Sequence, residues 1–187
     1  DNVSYIPIAY DRSESPADVM LTPDFTLTYT GIYYEGKQDP FIVLEAIKDL
    51  VAAGEIDRDK VRMRFYGTND LAIRRFAHEN GIDDLVLMYP RVKREDSLRR
   101  QAESQVLLYF NWGDERERGV CSLKLIEYLF SGRPILLTGG VPDNLMASIV
   151  KDTKGGVLVI DKEDTKRALK DMYNDYLRSG SVPCETI

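Results

Sequence analysis

The chain has 187 residues, enough for one domain with a substantial core, and its 43% hydrophobic and 30% charged residues are ordinary for a globular protein. A net charge of -6 argues against a general nucleic-acid or anionic-membrane surface, while leaving room for one local basic pocket. One histidine, His78, and two cysteines, Cys121 and Cys184, argue against a histidine-rich metal site, a Ser-His-Asp triad, a zinc site and a disulfide framework.

The opening stretch, residues 1–24, carries turn residues and no core of its own, and reads as an extended lead-in. The first strand is predicted at FTLTYTG, 25–31, and the first helix over 40–53. For that helix Asp39 suits the cap, Pro40 the first position and Gly54 the end. Val43, Ile47, Leu50 and Val51 recur there at core-facing spacing. The alternation then repeats. Strands are predicted at VRMRFYG (61–67), LVLMYP (85–90), VLLYFN (106–111), PILLTG (134–139) and GVLVI (156–160). Helices follow them over 69–80, 95–104, 122–131, 142–151 and 163–178, the last with Leu169, Met172, Tyr173 and Tyr176 on one face. The tail, 181–187, breaks off without a structured finish, so the ends predict a domain at 25–180 taken from a longer protein. No apolar run reaches the roughly 18 residues of a membrane span, no signal peptide opens the chain, and a reducing cytoplasm is the simplest setting.

Six strands each followed by a helix imply parallel strands joined by right-handed crossovers. The strand runs read as continuously apolar, as expected where helices cover both faces of a sheet. The fold class is therefore α/β, a doubly wound, Rossmann-like parallel sheet. In such folds ligands sit beyond the carboxyl ends of the strands, so loops 31–39, 67–70, 90–95, 111–122 and 138–142 should share one edge.

Three uses of that edge fail on the residues. TGIYYEGKQDP lacks GxGxxG, the P-loop signature is absent, and TYTG, FYGT and YFNW end without the clustered aspartates of a receiver domain. SLKLIEYLFSGRPILLTGG, residues 122–140, holds more promise. Its helix start supplies unpaired N–H groups and a positive dipole end, a natural phosphate site. Lys124 stands in that first turn, where the dipole disfavours a cation and a phosphate would offset the cost. Lys37, on the loop after the first strand, could reach the same anion, and Glu127 is an acceptor suited to ribose hydroxyls. Plainer readings stay open at this point. Lys124 and Glu127, three apart, could form a surface ion pair; Lys37 could be a solvated loop charge; Gly31 could simply permit a turn. Gly67 and Val92 could be turn and packing residues, and Glu117 lies in the charge run DERER.

TGIYYEGKQDP, RFYGT, YPRVKREDSLRRQAESQVLLYF and SLKLIEYLFSGRPILLTGG, in that order, carry a resemblance. Across about residues 25–178 the chain resembles the C-terminal, donor-binding domain of GT-B glycosyltransferases, in particular the retaining group called family 4, or glycosyl transferases group 1. The resemblance implies that Gly31 faces the donor diphosphate and that Lys37 and Lys124 bind phosphate. It implies that Val92, with Gly67, belongs to the nucleobase loops and that Glu127 holds the ribose. Ile32 stands where the family carries arginine, and the first of two family glutamates falls at Gly119, with Glu117 near enough to substitute at the donor sugar. The implied partners are a nucleoside diphosphate sugar and a missing N-terminal acceptor domain, with no metal, cofactor or nucleic acid. The implied activity is sugar transfer in cell-surface polysaccharide or glycoconjugate synthesis, in the cytoplasm or at the inner membrane face. Rival readings are another GT-B enzyme such as a nucleotide-sugar epimerase, and a nucleotide-binding module without catalysis.

Overall fold

The structure, a computed structural model, describes residues 16, 19–67, 70–112, 114, 116, 119–140 and 144–185. Its elements alternate as predicted: β1 (Phe25–Thr30), α1 (Phe41–Ala52), β2 (Val61–Tyr66), α2 (Leu71–Glu79), β3 (Val86–Tyr89), α3 (Arg94–Ala102), β4 (Val106–Phe110), α4 (Leu123–Phe130), β5 (Ile135–Thr138), α5 (Leu145–Asp152), β6 (Gly156–Val159) and α6 (Lys162–Ser179), with a short 3₁₀ turn at Arg58–Lys60. All strands are parallel in one six-stranded sheet of order β3-β2-β1-β4-β5-β6. The chain builds outward from β1 in one direction, then returns and builds outward from β4 in the other. The crevice between β1 and β4 is thus the topological switch point, the place where ligands bind in open α/β sheets.

Helix ends follow cap chemistry. Asp70, Ser122, Asn144 and Asp161 cap α2, α4, α5 and α6 by accepting from amides of the first turn. At α1 the residues act one position away from expectation. Pro40 occupies the cap position, and Asp39 accepts from the Phe41 amide at 2.9 Å. Gly54 ends α1 with φ +71, as Gly180 ends α6 with φ +75. Asp70 bonds both the Ala72 and Ile73 amides, at 2.8 and 3.1 Å. Asp70→Ala is therefore expected to cost about 1 kcal/mol and to lower the melting temperature by about 2–4 °C, measured by thermal denaturation.

The sheet has two different faces. On one, α1, α2 and α6 pack against Phe25, Leu27, Tyr29, Met63, Phe65, Leu108 and Phe110 in the larger core. On the other, α4 and α5 pack against Leu107, Tyr109, Ile135 and Leu137. Here the expectation of continuously apolar strands is corrected. β1 alternates, and its polar row is as buried as its apolar one: Thr26, Thr28 and Thr30 are 0–4% exposed. The hydroxyls are buried because the opposing helix end supplies partners. Thr26 Oγ1 accepts from the Gln105 amide at 3.0 Å, Ser104 Oγ donates to Thr28 Oγ1 at 2.6 Å, and Gln101 Nε2 donates to Thr30 Oγ1 at 3.1 Å. β2 also departs from a continuous apolar run, with Arg62 and Arg64 half-buried between buried neighbours. Arg64 pairs with Glu103 at 3.2 Å. Near the strands' amino ends, Val182 is buried, its amide donating to Gln105 Oε1 and its carbonyl accepting from Arg133.

A candidate nucleotide crevice at the switch point

Parallel strands bring all the loops that follow them to one edge, and the crevice opens between the loops after β1 and β4. Gln38 ties these two loops together. Its Nε2 donates to the Phe110 carbonyl at 2.8 Å, and its Oε1 accepts from the Tyr34 amide at 3.0 Å. Beneath them Tyr29 packs on Phe65 and Phe110, with ring centroids 6.2 and 4.9 Å away. The Tyr29 hydroxyl donates to the Ile32 carbonyl at 2.7 Å, fixing the turn out of β1. Ser122 opens α4 by accepting from the Leu125 amide, and Tyr109 donates to the same hydroxyl at 2.9 Å.

Lys124 lies across the top of the crevice. Its Nζ sits 4.1 Å from the Tyr29 ring centre and donates to the Tyr29 hydroxyl at 2.9 Å. It can lie there because Gly31 has no side chain: a Cβ at Gly31 would fall 2.8 Å from Lys124 Nζ and 3.0 Å from Cε. Gly31 also holds φ +118, which side-chain-bearing residues rarely adopt. Burial pushes the Lys124 ammonium down to about 8, with Glu127 opposing that shift. The lysine is therefore still largely charged at neutral pH. A half-buried, charged donor at the switch-point crevice is the arrangement expected of an anion site.

Glu127 has a different partner. Its carboxylate accepts from Arg94, the first residue of α3, so the surface pair between Lys124 and Glu127 does not form. The glutamate side chain is 12% exposed and Arg94 48%, so the carboxylate lies largely buried beneath a guanidinium open to solvent. Lys37 is exposed on the β1–α1 loop with its Nζ 4.2 Å above the Trp112 ring, and Tyr34 meets that ring edge-on at 5.7 Å. Trp112 and Lys124 line one cavity of about 280 Å³ together with Ile32, Gln38, Asn111 and Ser122.

The structure thus brings Gly31, Gly67 and Lys124 into contact range, since a Cβ at Gly67 (φ +88) would lie 3.3 Å from the Gly31 carbonyl oxygen. Glu127 shares α4 with Lys124, and Lys37 reaches the same cavity through Trp112. Val92 is half-buried on the loop between β3 and α3, two residues from Arg94. Gly119 is exposed, with open space around its Cα. Glu117 lies outside the described residues. Cys121 packs beside the smaller core with its thiol pushed up by burial, which fits packing and not reactivity. His78 is exposed on α2, 3.3 Å from Asp83.

Sequence reasoning missed Tyr29, Arg94, Asn111 and Trp112. Arg94 carried a usable signal, because a cation opening a helix conflicts with the dipole just as Lys124 does. Trp112, the chain's one tryptophan, also stood out by position, immediately past a strand on the ligand edge.

A six-stranded, Rossmann-like parallel sheet with helices on both faces is the architecture of one half of the GT-B fold. Among solved structures, the chain is similar to WaaG, a glycosyltransferase involved in lipopolysaccharide biosynthesis, with a TM-score of 0.61 and 16% identity over 86% of this chain and 39% of that one. It is also similar to the pneumococcal O-GlcNAc transferase GtfA, solved with UDP and GlcNAc (TM-score 0.59, 14% identity, 88% of this chain and 32% of that one). A UDP-N-acetylglucosamine 2-epimerase matches at a TM-score of 0.53 and 18% identity, over 84% of this chain and 35% of that one. The chain spans less than two fifths of the length of each of these three. No family profile and no curated protein sequence matches the chain.

Proposed function

We propose that this chain is the donor-binding half of a retaining, family 4-like glycosyltransferase that moves a sugar from a nucleoside diphosphate sugar to an acceptor. The observation that carries the reading is Lys124, a half-buried cation set into a glycine-made socket at the switch point and at the start of α4. As a diphosphate leaves, negative charge grows on its oxygens, and a preorganised donor there lowers the barrier without reorganising. Lys124 supplies that donor together with the first-turn amides of α4. Lys37 adds a second cation by leaving its seat on Trp112, and the Glu127 carboxylate, oriented by Arg94, accepts from the ribose hydroxyls. Gly67 and Val92 flank the base, and metal plays no part in binding.

The acceptor is held by a second domain that closes over this edge and aligns the reactants. Ile32, Tyr34, Val120 and Leu123, all 40–55% exposed around the crevice, form the apolar rim that such a domain would cover. The product belongs to a surface polysaccharide or glycoconjugate, made on the cytoplasmic side of a membrane. The epimerase reading keeps one observation in its favour, the similarity in fold to UDP-N-acetylglucosamine 2-epimerase.

A thermal-shift panel with UDP, GDP and ADP tests the reading, and at least one should raise the melting temperature at millimolar concentration, with or without a chelator. No shift with any of them, confirmed by calorimetry, would remove the proposal. The ribose assignment has its own test. Glu127→Gln should weaken the nucleoside and its diphosphate alike, by about 1–3 kcal/mol. A 2′,3′-dideoxy ligand should bind parent and variant equally; a loss that persists with it would reassign Glu127. Conversion of a free nucleotide sugar to its epimer by the intact enzyme, without acceptor, would favour the epimerase.

A further inference from the structure

A lysine is a point charge on a flexible stem, whereas stabilising charge on a departing diphosphate calls for a donor already in place. Something has to hold the Lys124 ammonium still. Glu127, on the same helix, is engaged by Arg94 and does not bond it. The holding group comes from β1 instead.

Tyr29 is fully buried, its ring packed on Phe65 and Phe110. Its hydroxyl has a single proton. The Ile32 carbonyl at 2.7 Å and Gln38 Oε1 at 3.5 Å are both acceptors, so that proton is committed to the loop after β1. The lone pairs of the oxygen are left to meet a donor, and Lys124 Nζ is that donor, at 2.9 Å. An ammonium donates and cannot accept, so the direction of this bond is fixed from both ends. Among the described residues Lys124 donates to no other oxygen. Its remaining protons are left for a ligand in the cavity that the lysine lines.

Resting on the donor-domain reading above, we infer that Tyr29 is a positioning residue for the diphosphate: its hydroxyl holds the Lys124 ammonium in the crevice with the remaining protons turned to the phosphates. Tyr29 itself touches no phosphate. Because the same hydroxyl bonds Ile32, one group places both the ammonium and the turn that leads to Lys37.

Tyr29→Phe keeps the ring and its packing and removes the oxygen alone. Calorimetry with whichever of UDP, GDP and ADP binds, and with the matching nucleoside, reads the effect. Diphosphate affinity should fall about three- to tenfold, the reach of a single hydrogen bond, with the nucleoside unchanged. In the Lys124→Met background the same substitution should change diphosphate affinity by less than about twofold, because no ammonium is left to hold. The pH at which diphosphate binding is half lost should also fall below that of the parent. A hydrogen bond to the charged form favours that form, and Glu127, which supports the charge from α4, is untouched by the substitution.

Tyr128, one turn further along α4, provides the structural comparison. It too is fully buried and ties α4 to β1, its hydroxyl accepting from the Thr30 amide at 2.9 Å, with no hydrogen bond to Lys124. Tyr128→Phe should lower the melting temperature and keep the parent's ratio of diphosphate to nucleoside affinity. The parent carries a test of its own, whether or not Tyr29→Phe folds. An NMR contact between the Lys124 side chain and the Tyr29 ring should persist when diphosphate binds.

Tyr29→Phe binding diphosphate as the parent does, or losing the nucleoside equally, overturns the inference and leaves the donor-domain reading standing. So does a Tyr128→Phe variant that reproduces the loss, or a Lys124–Tyr29 contact that breaks on binding. If the parent binds no diphosphate, the donor-domain reading falls first and takes the inference with it.

Discussion

Lys124→Met is expected to make the chain more stable and the crevice inert. Depressing the ammonium from 10.5 to about 8 corresponds to about 3 kcal/mol of disfavoured charge at neutral pH, at about 1.4 kcal/mol per unit. Methionine matches the lysine stem in length and adaptability and removes that cost. It also removes the hydrogen bond to Tyr29 and the contact with its ring, together about 1–2 kcal/mol. The net gain should be on the order of 1–2 kcal/mol, seen as a melting temperature raised by a few degrees. Diphosphate affinity should fall by about 1.5–3 kcal/mol, the range for hydrogen bonds to charged groups, while the unphosphorylated nucleoside keeps its affinity.

The two effects have opposite pH dependences. Diphosphate binding should hold below pH 8 and weaken as Lys124 loses its proton. Stability runs the other way, because between about 8 and 10.5 the unfolded chain binds the lysine proton that the folded chain has released. Stability therefore rises with pH across that window, and Lys124→Met should abolish this contribution. A variant less stable than the parent, with diphosphate binding intact, would mean that Lys124 is a packing residue.

The second large effect is expected at Gly31. Gly31→Ala places a methyl where Lys124 now lies. The flexible end of the lysine can move aside, so the steric conflict alone is tolerable. The backbone cannot adapt as cheaply. At φ +118 an alanine is strained by about 1–3 kcal/mol, and the Gly31 amide must keep its bond to the Tyr66 carbonyl at 2.8 Å. The variant should melt several degrees lower and bind diphosphate as weakly as Lys124→Met, because the ammonium has left its socket. Calorimetry on both variants separates socket from strain: a destabilised Gly31→Ala that binds diphosphate normally would leave Gly31 a turn glycine.

Helices and strands were legible because their signals are local. A side-chain oxygen just before an apolar period marks a helix start, and Asp70, Ser122, Asn144 and Asp161 all do so. Lys124 was legible for a related reason, since a cation in a first turn is an anomaly visible in the sequence. What each side chain faces was not. Lys124 meets Tyr29 across 95 residues, and Arg94 meets Glu127 across 33. Only the sheet order brings those pairs together. The polar row of β1 was misread for the same cause, because its partners Gln101, Ser104 and Gln105 lie more than 70 residues further along the chain.

That polar row has a consequence for how the crevice is placed. Successive side chains in a strand face opposite ways, so sliding β1 by one residue would exchange its two rows. Thr26, Thr28 and Thr30 would meet the aromatic core, and Leu27 and Tyr29 would meet Ser104 and Gln101. Each hydroxyl buried without a partner costs about 1–3 kcal/mol, so the slipped pairing is penalised on both faces at once. β1 is proofread by its own chemistry. Gly31 is the next residue after the strand, so the position of the Lys124 socket is set by threonines whose hydroxyls are spent on the opposite face of the sheet.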